Sequence, residues 1–94
     1  MALARVVSFE GVSAERMEQL KGQIENEGRP EEIPATEILV LHDPEGEKSV
    51  VVLFFESEDD YRKGDAALSA MPADETPGQR TSVGKYTVAA RMTA

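Results

Sequence analysis

Two side chains in this 94-residue chain have the chemistry for proton transfer or charge stabilisation. His42 is the single histidine, and an imidazole exchanges protons near neutral pH. It directly precedes Asp43, so the simpler interpretation is an exposed residue beside a turn. Arg5 lies among apolar residues, where its charge must reach a carboxylate, a partner subunit or a ligand. The alternative for Arg5 is an apolar stem that carries its charged end to water. Both residues are candidates for catalysis.

Three further residues are candidates for a ligand pocket between helices and a sheet. Tyr61 and Tyr86 combine an aromatic surface with a hydroxyl, although a tyrosine at an apolar helix position is also a common core residue. Gly64 falls inside a predicted helix, where glycine costs about 1 kcal/mol relative to alanine. Its missing side chain leaves room either for a ligand or for close approach of the helix to the sheet.

Metal and cofactor chemistry lack a motif in this sequence. Glu31-Glu32 and Glu58-Asp59-Asp60 are acidic clusters, and hard cations need several oxygen ligands. Adjacent carboxylates on one helical turn point in different directions, so solvation and helix capping explain them. The chain has no cysteine, dinucleotide-binding fingerprint, P-loop, nucleophile elbow or His-Glu-x-x-His pattern. We expect no metal and no cofactor.

Charge and hydropathy narrow the classes of partner. Eighteen acidic and ten basic residues give a net charge of -8, which repels phosphate backbones and anionic membranes. The segment Met1–Arg5 turns polar too early for a secretory signal, and no apolar stretch reaches the roughly 18 residues of a membrane helix. We therefore expect a cytoplasmic protein that binds neither nucleic acid nor membrane.

The first half of the chain reads as a strand, a helix and a hairpin. A strand is predicted over 2–10, with Leu3, Val7 and Phe9 on one face. A helix over 14–27 starts at the N-cap Ser13 and buries Met17, Leu20 and Ile24. Strands 35–42 and 48–56 flank the turn Asp43-Pro44-Glu45-Gly46, in which Asp, Pro and Gly suit a type I turn.

The second half repeats a helix and a strand. Ser57 is the predicted cap of a helix whose first turn is acidic, and Pro72 ends that helix. A loop over 72–81 and a strand over 82–92 complete the chain. The order is β-α-β-β-α-β, which predicts one α+β domain over 1–94 with a ferredoxin-like, four-stranded antiparallel sheet. Right-handed crossovers place both helices on the same face.

The predicted strand 48–56 contains an unbroken apolar run, residues 50–55, and this run predicts what covers the other face of the sheet. A strand with one wet face alternates in polarity, and this one does not, so both of its faces need cover. Two short helices cover one face only, and we expect a second copy of the chain to cover the other. The dimer face would contain alternate residues of the run, which consists of Val50, Val51, Val52, Leu53, Phe54 and Phe55.

The pattern as a whole resembles the dimeric α+β barrel superfamily over nearly the whole chain. The resemblance rests on the run 50–55, the hairpin His42–Lys48, the capped acidic helix start at Ser57 and the closing strand Val83–Ala90. It implies a homodimer similar to antibiotic-biosynthesis monooxygenases or stress-responsive proteins. The haem-degrading members use an Asn on the first strand and a Trp and a His near the second helix. This chain has its single Asn at position 26, no Trp, and its His at position 42.

Three functions follow as expectations. The first is a homodimer that binds a small apolar or aromatic molecule between its helices and its sheet. The second, implied by the resemblance, is a cofactor-independent monooxygenase or isomerase in which Arg5, His42 or a tyrosine assists proton transfer. The third is a small-molecule-sensing regulatory module, suggested by the turn Glu10-Gly11-Val12 before the first helix.

Overall fold

The computed structural model describes residues 2–28, 32–70 and 77–93, which form four strands and two helices. In chain order these are β1 (Leu3–Glu10), α1 (Ala14–Glu27), β2 (Glu37–Asp43), β3 (Lys48–Phe55), α2 (Glu58–Ser69) and β4 (Gln79–Thr87). The predicted ferredoxin-like βαββαβ arrangement is confirmed. Among the described residues, no helix has the length and apolar character needed to cross a membrane.

The sheet is antiparallel throughout, with the strand order β2-β3-β1-β4. β1 and β3 are therefore the central strands, as the topology predicts. Arg5 on β1 lies opposite Leu53 on β3 and opposite Lys85 on β4. This register places the arginine in the middle of the sheet.

Alternation along the central strands separates two faces. Val7 and Phe9 of β1 pack in one buried cluster with Met17 of α1, and Leu53 and Phe55 of β3 pack in another with α2. Since these strand residues share one side of the sheet, both helices lie on that side, which we call the helix face. The opposite side, the helix-free face, carries Val50, Val52 and Phe54 of the apolar run.

Helix α1 has the predicted bounds and the predicted start. The Ser13 hydroxyl accepts a hydrogen bond from the Arg16 N–H at 3.1 Å, which satisfies one of the unpaired donors of the first turn. Val12 and Met17, on either side of the cap, are both buried in the same cluster, as in a hydrophobic staple. Further along the helix the stripe is less covered, and Ile24 keeps 36% of its surface exposed.

Helix α2 is also capped as predicted. The Ser57 hydroxyl accepts from the Asp60 N–H at 3.1 Å, and three carboxylates occupy the first turn, where the helix dipole favours negative charge. Tyr61 packs edge-on against Phe55, with ring centroids 5.4 Å apart. This contact anchors the helix to the sheet.

The hairpin between β2 and β3 forms at the predicted place. The Asp43 carboxylate accepts a hydrogen bond from the Gly46 N–H at 3.2 Å, the local interaction that favours Asp at the start of a turn. Glu47 then takes a left-handed conformation, with φ 52°, before Lys48 pairs with Asp43.

The predicted bounds of the last strand are wrong at both ends. β4 starts at Gln79, inside the expected loop 72–81, and ends at Thr87, before the expected end at 92. Thr87 lies opposite Leu3, the first residue of β1, so the chain beyond it has no strand to pair with. Residues 72–76 of the expected loop lie outside the described residues.

The segment 88–93, which we call the tail, leaves the sheet after Thr87. The Val88 N–H donates to the Ala2 carbonyl at 3.0 Å. The Arg91 guanidinium then lies 4.6 Å from the centre of the Phe54 ring and pairs with Glu37. The tail thus returns along one end of the helix-free face.

Candidate ligand cavity

A cavity of about 120 Å³ lies between the two helices and the helix face of the sheet. Of the residues that the structure describes, nine with apolar side chains and two arginines line it. The lining residues are Arg5, Val7, Phe9, Leu20, Ile24, Val40, Val51, Leu53, Leu68, Pro77 and Arg80. Ile24 and Arg80 are also exposed, so the cavity reaches the surface between α1 and the start of β4.

The cavity forms because each helix packs on its own part of the sheet. Met17 and Leu20 of α1 belong to one buried cluster, and Tyr61 and Leu68 of α2 belong to the other. Val51 in the centre of the sheet packs against both clusters. The space above it is left between the helices, and apolar side chains surround it.

Arg5 is the polar residue at the base of this cavity. It is 2% exposed, and its Nε donates to the Asp65 carboxylate of α2 at 2.9 Å. The Asp65 side chain is 43% exposed, so the positive charge of this ion pair is buried and the negative charge is in contact with solvent. Arg5 Nη2 is the buried side-chain nitrogen or oxygen that has no hydrogen-bond partner among the described residues.

That unpaired nitrogen has an energetic cost. A buried donor without an acceptor costs about 1 to 3 kcal/mol, and a charged donor costs more. Buried groups of this kind are rare in native proteins, and a bound water or ion or a catalytic role commonly accounts for them. The sheet therefore holds a cationic donor beside a cavity whose described lining residues supply no acceptor for Nη2.

The electrostatics of the cavity differ from those of the chain. The protein has a net charge of -8, yet the lining residues that the structure describes include two arginines and no carboxylate. Arg5 supplies a buried positive charge and Arg80 an exposed one. Among the chain's many acids, Asp65 reaches this site through its bond to Arg5 Nε.

His42 lies at a different place on the helix face. Its Nε2 is 3.1 Å from the Val12 carbonyl oxygen, and its ring borders a shallow groove beside α1 that also contains Met17 and Lys21. In the sheet, His42 pairs with Ser49 of β3 and Arg5 pairs with Leu53 of β3. Their Cα atoms are therefore two strands and four residues apart, a separation of about 17 Å. His42 and Arg5 therefore cannot act on the same bond.

Tyr61 is a core residue at the edge of α2. Burial, and then the negative charge of Asp65, raises the pKa of its phenol. The Lys85 ammonium lies 5.0 Å from the centre of its ring and binds Glu58, and this hydrogen bond lowers the pKa of the Glu58 carboxyl. Tyr61 is absent from the cavity lining.

The other two expected pocket residues also lie elsewhere. A Cβ on Gly64 would lie 2.5 Å from the Phe55 ring, so this glycine allows α2 to approach the sheet closely. Tyr86 is on the helix-free face, where it is 60% exposed and its ring lies across Gly84. The structure therefore does not bring Tyr61, Gly64 and Tyr86 together, and their contact with a ligand stays a prediction.

The sequence contained a signal for the cavity that the pocket prediction did not use. Arg5 alternates with Val7 and Phe9 on β1, and Leu20 and Ile24 of the stripe predicted for α1 line the cavity, although Ile24 is exposed and not buried as predicted. The alternation on β1 and the apolar stripe of α1 both predict residues of one core, and Arg5 falls within the first of these patterns. Pro77 and Arg80 followed no pattern, because they belong to an expected loop.

The acidic clusters do not form a metal site in the part of the chain that the structure describes. No group of three or more His, Cys, Asp or Glu side chains lies close enough there to hold an ion. Glu58 is engaged by Lys85, and Asp59 faces Arg62 at 3.9 Å on the exposed surface of α2. Glu31 lies outside the described residues.

Comparison with known proteins supplies no relative from which a role can be transferred. The chain matches no family model, no curated protein and no solved structure. The geometry of the cavity is thus what a functional proposal has to rest on.

Proposed function

We propose that the protein binds a small molecule with an apolar or aromatic body in the cavity between its helices and its sheet, and that it does so as a homodimer. The observation that carries the binding proposal is the cavity itself, with nine apolar side chains around the buried Arg5. Ligand sites in proteins have this composition: a mostly apolar wall with a few polar groups that set orientation.

The volume sets the size of the ligand. An engineered cavity of about 150 Å³ lined by Leu, Ile and Phe binds benzene. The cavity here, about 120 Å³, is slightly smaller and opens to the surface beside Ile24 and Arg80. A single ring or a short alkyl chain fits such a space.

Binding is better supported than catalysis by a monooxygenase or isomerase mechanism. In the described part of the chain, the residues that line the cavity include no His, Asp, Glu, Lys or Cys that could take a proton. His42, the other catalytic candidate, borders the separate groove beside α1, and its Cα is about 17 Å from that of Arg5.

A sensing module that uses the turn before α1 has less support. The Val12 N–H in this turn donates to the Glu47 carbonyl at 2.7 Å, and the Val12 side chain is fully buried. These groups are already used within the fold and are not available to a ligand.

The homodimer proposal rests on the helix-free face. Its centre is apolar, with Leu39, Leu41, Val50, Val52 and Phe54, and the two leucines are 41% and 55% exposed. Charged residues of both signs border this centre at each end. One border has Asp43, Lys48 and Glu10, and the other has Glu37 and Arg91. An apolar centre with mixed charges at its borders suits contact with a second copy of the same face.

The accessible surface supports the same proposal. The chain exposes 6358 Å², whereas a folded monomer of 10.3 kDa is expected to expose about 5,400 Å². One partner of a standard protein interface buries about 800 Å². A second copy would therefore bring the exposed surface into the usual range.

Thermal unfolding with small apolar compounds tests the binding proposal. Toluene, indole and a short quinone are suitable probes. A ligand at ten times its Kd stabilises the folded state by about 1.4 kcal/mol, which raises the Tm of a domain of this size by roughly 6 to 11 °C. We expect a rise of this order for at least one probe.

A pair of variants locates the site. Val51→Phe places a ring in the cavity and should abolish the rise. Val83→Phe makes the same change on β4 at a position that is 45% exposed and outside the lining, and it should leave the rise intact. If no probe stabilises the wild-type protein, or if both variants behave alike, the cavity is not the binding site.

A further inference from the structure

Arg5 supplies more than a structural ion pair. A guanidinium has five N–H donors in a plane, and only Nε is bound to Asp65. Nη2 is buried without a partner in the described part of the chain, and Arg5 lines the cavity. Asp65 holds the guanidinium through Nε from the α2 side, and Nη2 has no acceptor among the described residues.

Among the described residues that line the cavity, none carries a carboxylate that could neutralise this arginine. The other walls of the cavity are apolar, and its second charged residue, Arg80, is also a cation. A neutral ligand would leave Nη2 without a charged acceptor, and a cationic ligand would be repelled by both arginines. An anionic oxygen would satisfy Nη2 with a charge-assisted hydrogen bond, the stronger kind.

We infer that the ligand is a small monocarboxylate, whose carboxylate binds the Arg5 guanidinium and whose ring or short chain fills the apolar part of the cavity. This inference rests on the proposed binding function and names the chemical class of the ligand. A single negative charge suits the site, because Asp65 already offsets part of the Arg5 charge and Arg80 is exposed to water.

Three probes of nearly equal size test this inference by calorimetric titration: benzoate, its neutral isostere benzamide, and the cation benzylamine. We expect benzoate to bind at least about tenfold more tightly than benzamide, because a hydrogen bond to a charged group contributes more than one to a neutral group. Benzylamine should bind more weakly than both.

Variants connect the discrimination to the arginine. Arg5→Met removes the charge but keeps much of the volume, and replacement of a buried ion pair by an apolar residue is often tolerated. Asp65 is 43% exposed and can be solvated in this variant. We expect benzoate and benzamide to bind Arg5→Met within about twofold of each other. Arg80→Gln, a surface change, should weaken benzoate about two- to threefold.

Arg62→Gln is the matched control. It removes one positive charge from the exposed surface of α2, where the side chain is 71% exposed and outside the cavity lining. It should leave the affinity for benzoate unchanged. Equal affinities of wild-type protein for benzoate and benzamide would overturn the carboxylate inference while leaving the binding proposal intact. If none of the three probes binds and toluene and indole also fail, both proposals are wrong.

Discussion

Gly64 and Phe55 form a contact that leaves no space for one more carbon atom. The ring of Phe55 is fully buried, and a Cβ on Gly64 would lie 2.5 Å from it. Phe55 cannot move away easily, because it also packs edge-on against Tyr61. A helix interior normally favours alanine over glycine by about 1 kcal/mol, so packing against the sheet outweighs helix propensity here.

Gly64→Ala is therefore expected to destabilise the protein by up to about 2 kcal/mol, the overpacking cost of about 1 to 3 kcal/mol less the gain of about 1 kcal/mol in helix propensity. Gly22→Ala in α1 is the control, since a Cβ there has no neighbour within 4 Å. It should stabilise the protein by up to about 1 kcal/mol. Urea unfolding of both variants measures the difference, and stabilisation by both would show that α2 does not approach the sheet this closely.

The raised pKa of Tyr61 predicts a loss of stability at alkaline pH. Burial favours the neutral phenol in the folded state, whereas the unfolded chain ionises near the ordinary value of 10.0. The contribution of this group is present below that pH and is lost as the pH rises through the folded-state pKa. Tyr61→Phe should lose less stability than the wild-type protein between about pH 9 and about pH 11 in urea unfolding.

Tyr86→Phe provides the comparison for this pH series. Tyr86 is 60% exposed on the helix-free face, so removal of its hydroxyl should leave the alkaline loss of stability as it is in the wild-type protein. The same pH dependence in all three proteins would contradict a role for Tyr61.

At the scale of single residues, the sequence showed that Arg5 is unusual, but it did not predict which residue Arg5 contacts. A charge within an apolar strand indicated a buried partner, and α2 provides it through Asp65. No local pattern joins residues 5 and 65, because their contact depends on the register of the sheet and the angle of the helix. Tyr61 and Tyr86 illustrate the same limit, since they lie on opposite sides of the sheet.

Capping residues determine where the helices start. The elements whose bounds the sequence predicted well are those that begin with such a capping residue. Ser13 and Ser57 accept the expected hydrogen bonds, and the bounds of α1 match the prediction. The ends of β4 differ, because a strand extends only as far as its partner does. Leu3 opposite Thr87 sets one end, and a local register shift after Ser8 accompanies the other. Such pairings join distant parts of the chain.

The tail is an element with few contacts, and Arg91 provides two of them. Arg91→Ala removes the ion pair with Glu37 and the contact with the Phe54 ring, which together contribute up to about 1 kcal/mol at this half-exposed site. We expect the Val88 N–H, which is bonded to Ala2, to exchange with solvent up to about fivefold faster. Arg62→Ala, which breaks an exposed ion pair on α2, should leave that rate unchanged. Unchanged exchange in Arg91→Ala would show that the tail is held by other contacts.

At the scale of the whole molecule, the two faces of one sheet have different surroundings. Val51, Leu53 and Phe55 point to the helices, whereas Val50, Val52 and Phe54 alternate with them on the other face. The unbroken apolar run predicted that both sets need cover. Sequence alone did not decide which set faces which side, because each contains three large apolar residues.

Leu41→Asp is the variant that tests this face without damage to the protomer. Leu41 is 55% exposed in the single chain, so the aspartate remains hydrated there. In the proposed dimer the charge would be buried without a partner, and we expect at least about 100-fold weaker association. Val83→Asp, at an exposed position on the helix face, is the control and should leave association unchanged.

Sedimentation equilibrium of the wild-type protein at micromolar concentration measures the assembly most directly. Twice the chain mass of 10.3 kDa, about 21 kDa, is the expected result, with Leu41→Asp at the mass of one chain. A wild-type protein that remains at 10.3 kDa and well folded would contradict the proposal that a second copy covers the helix-free face.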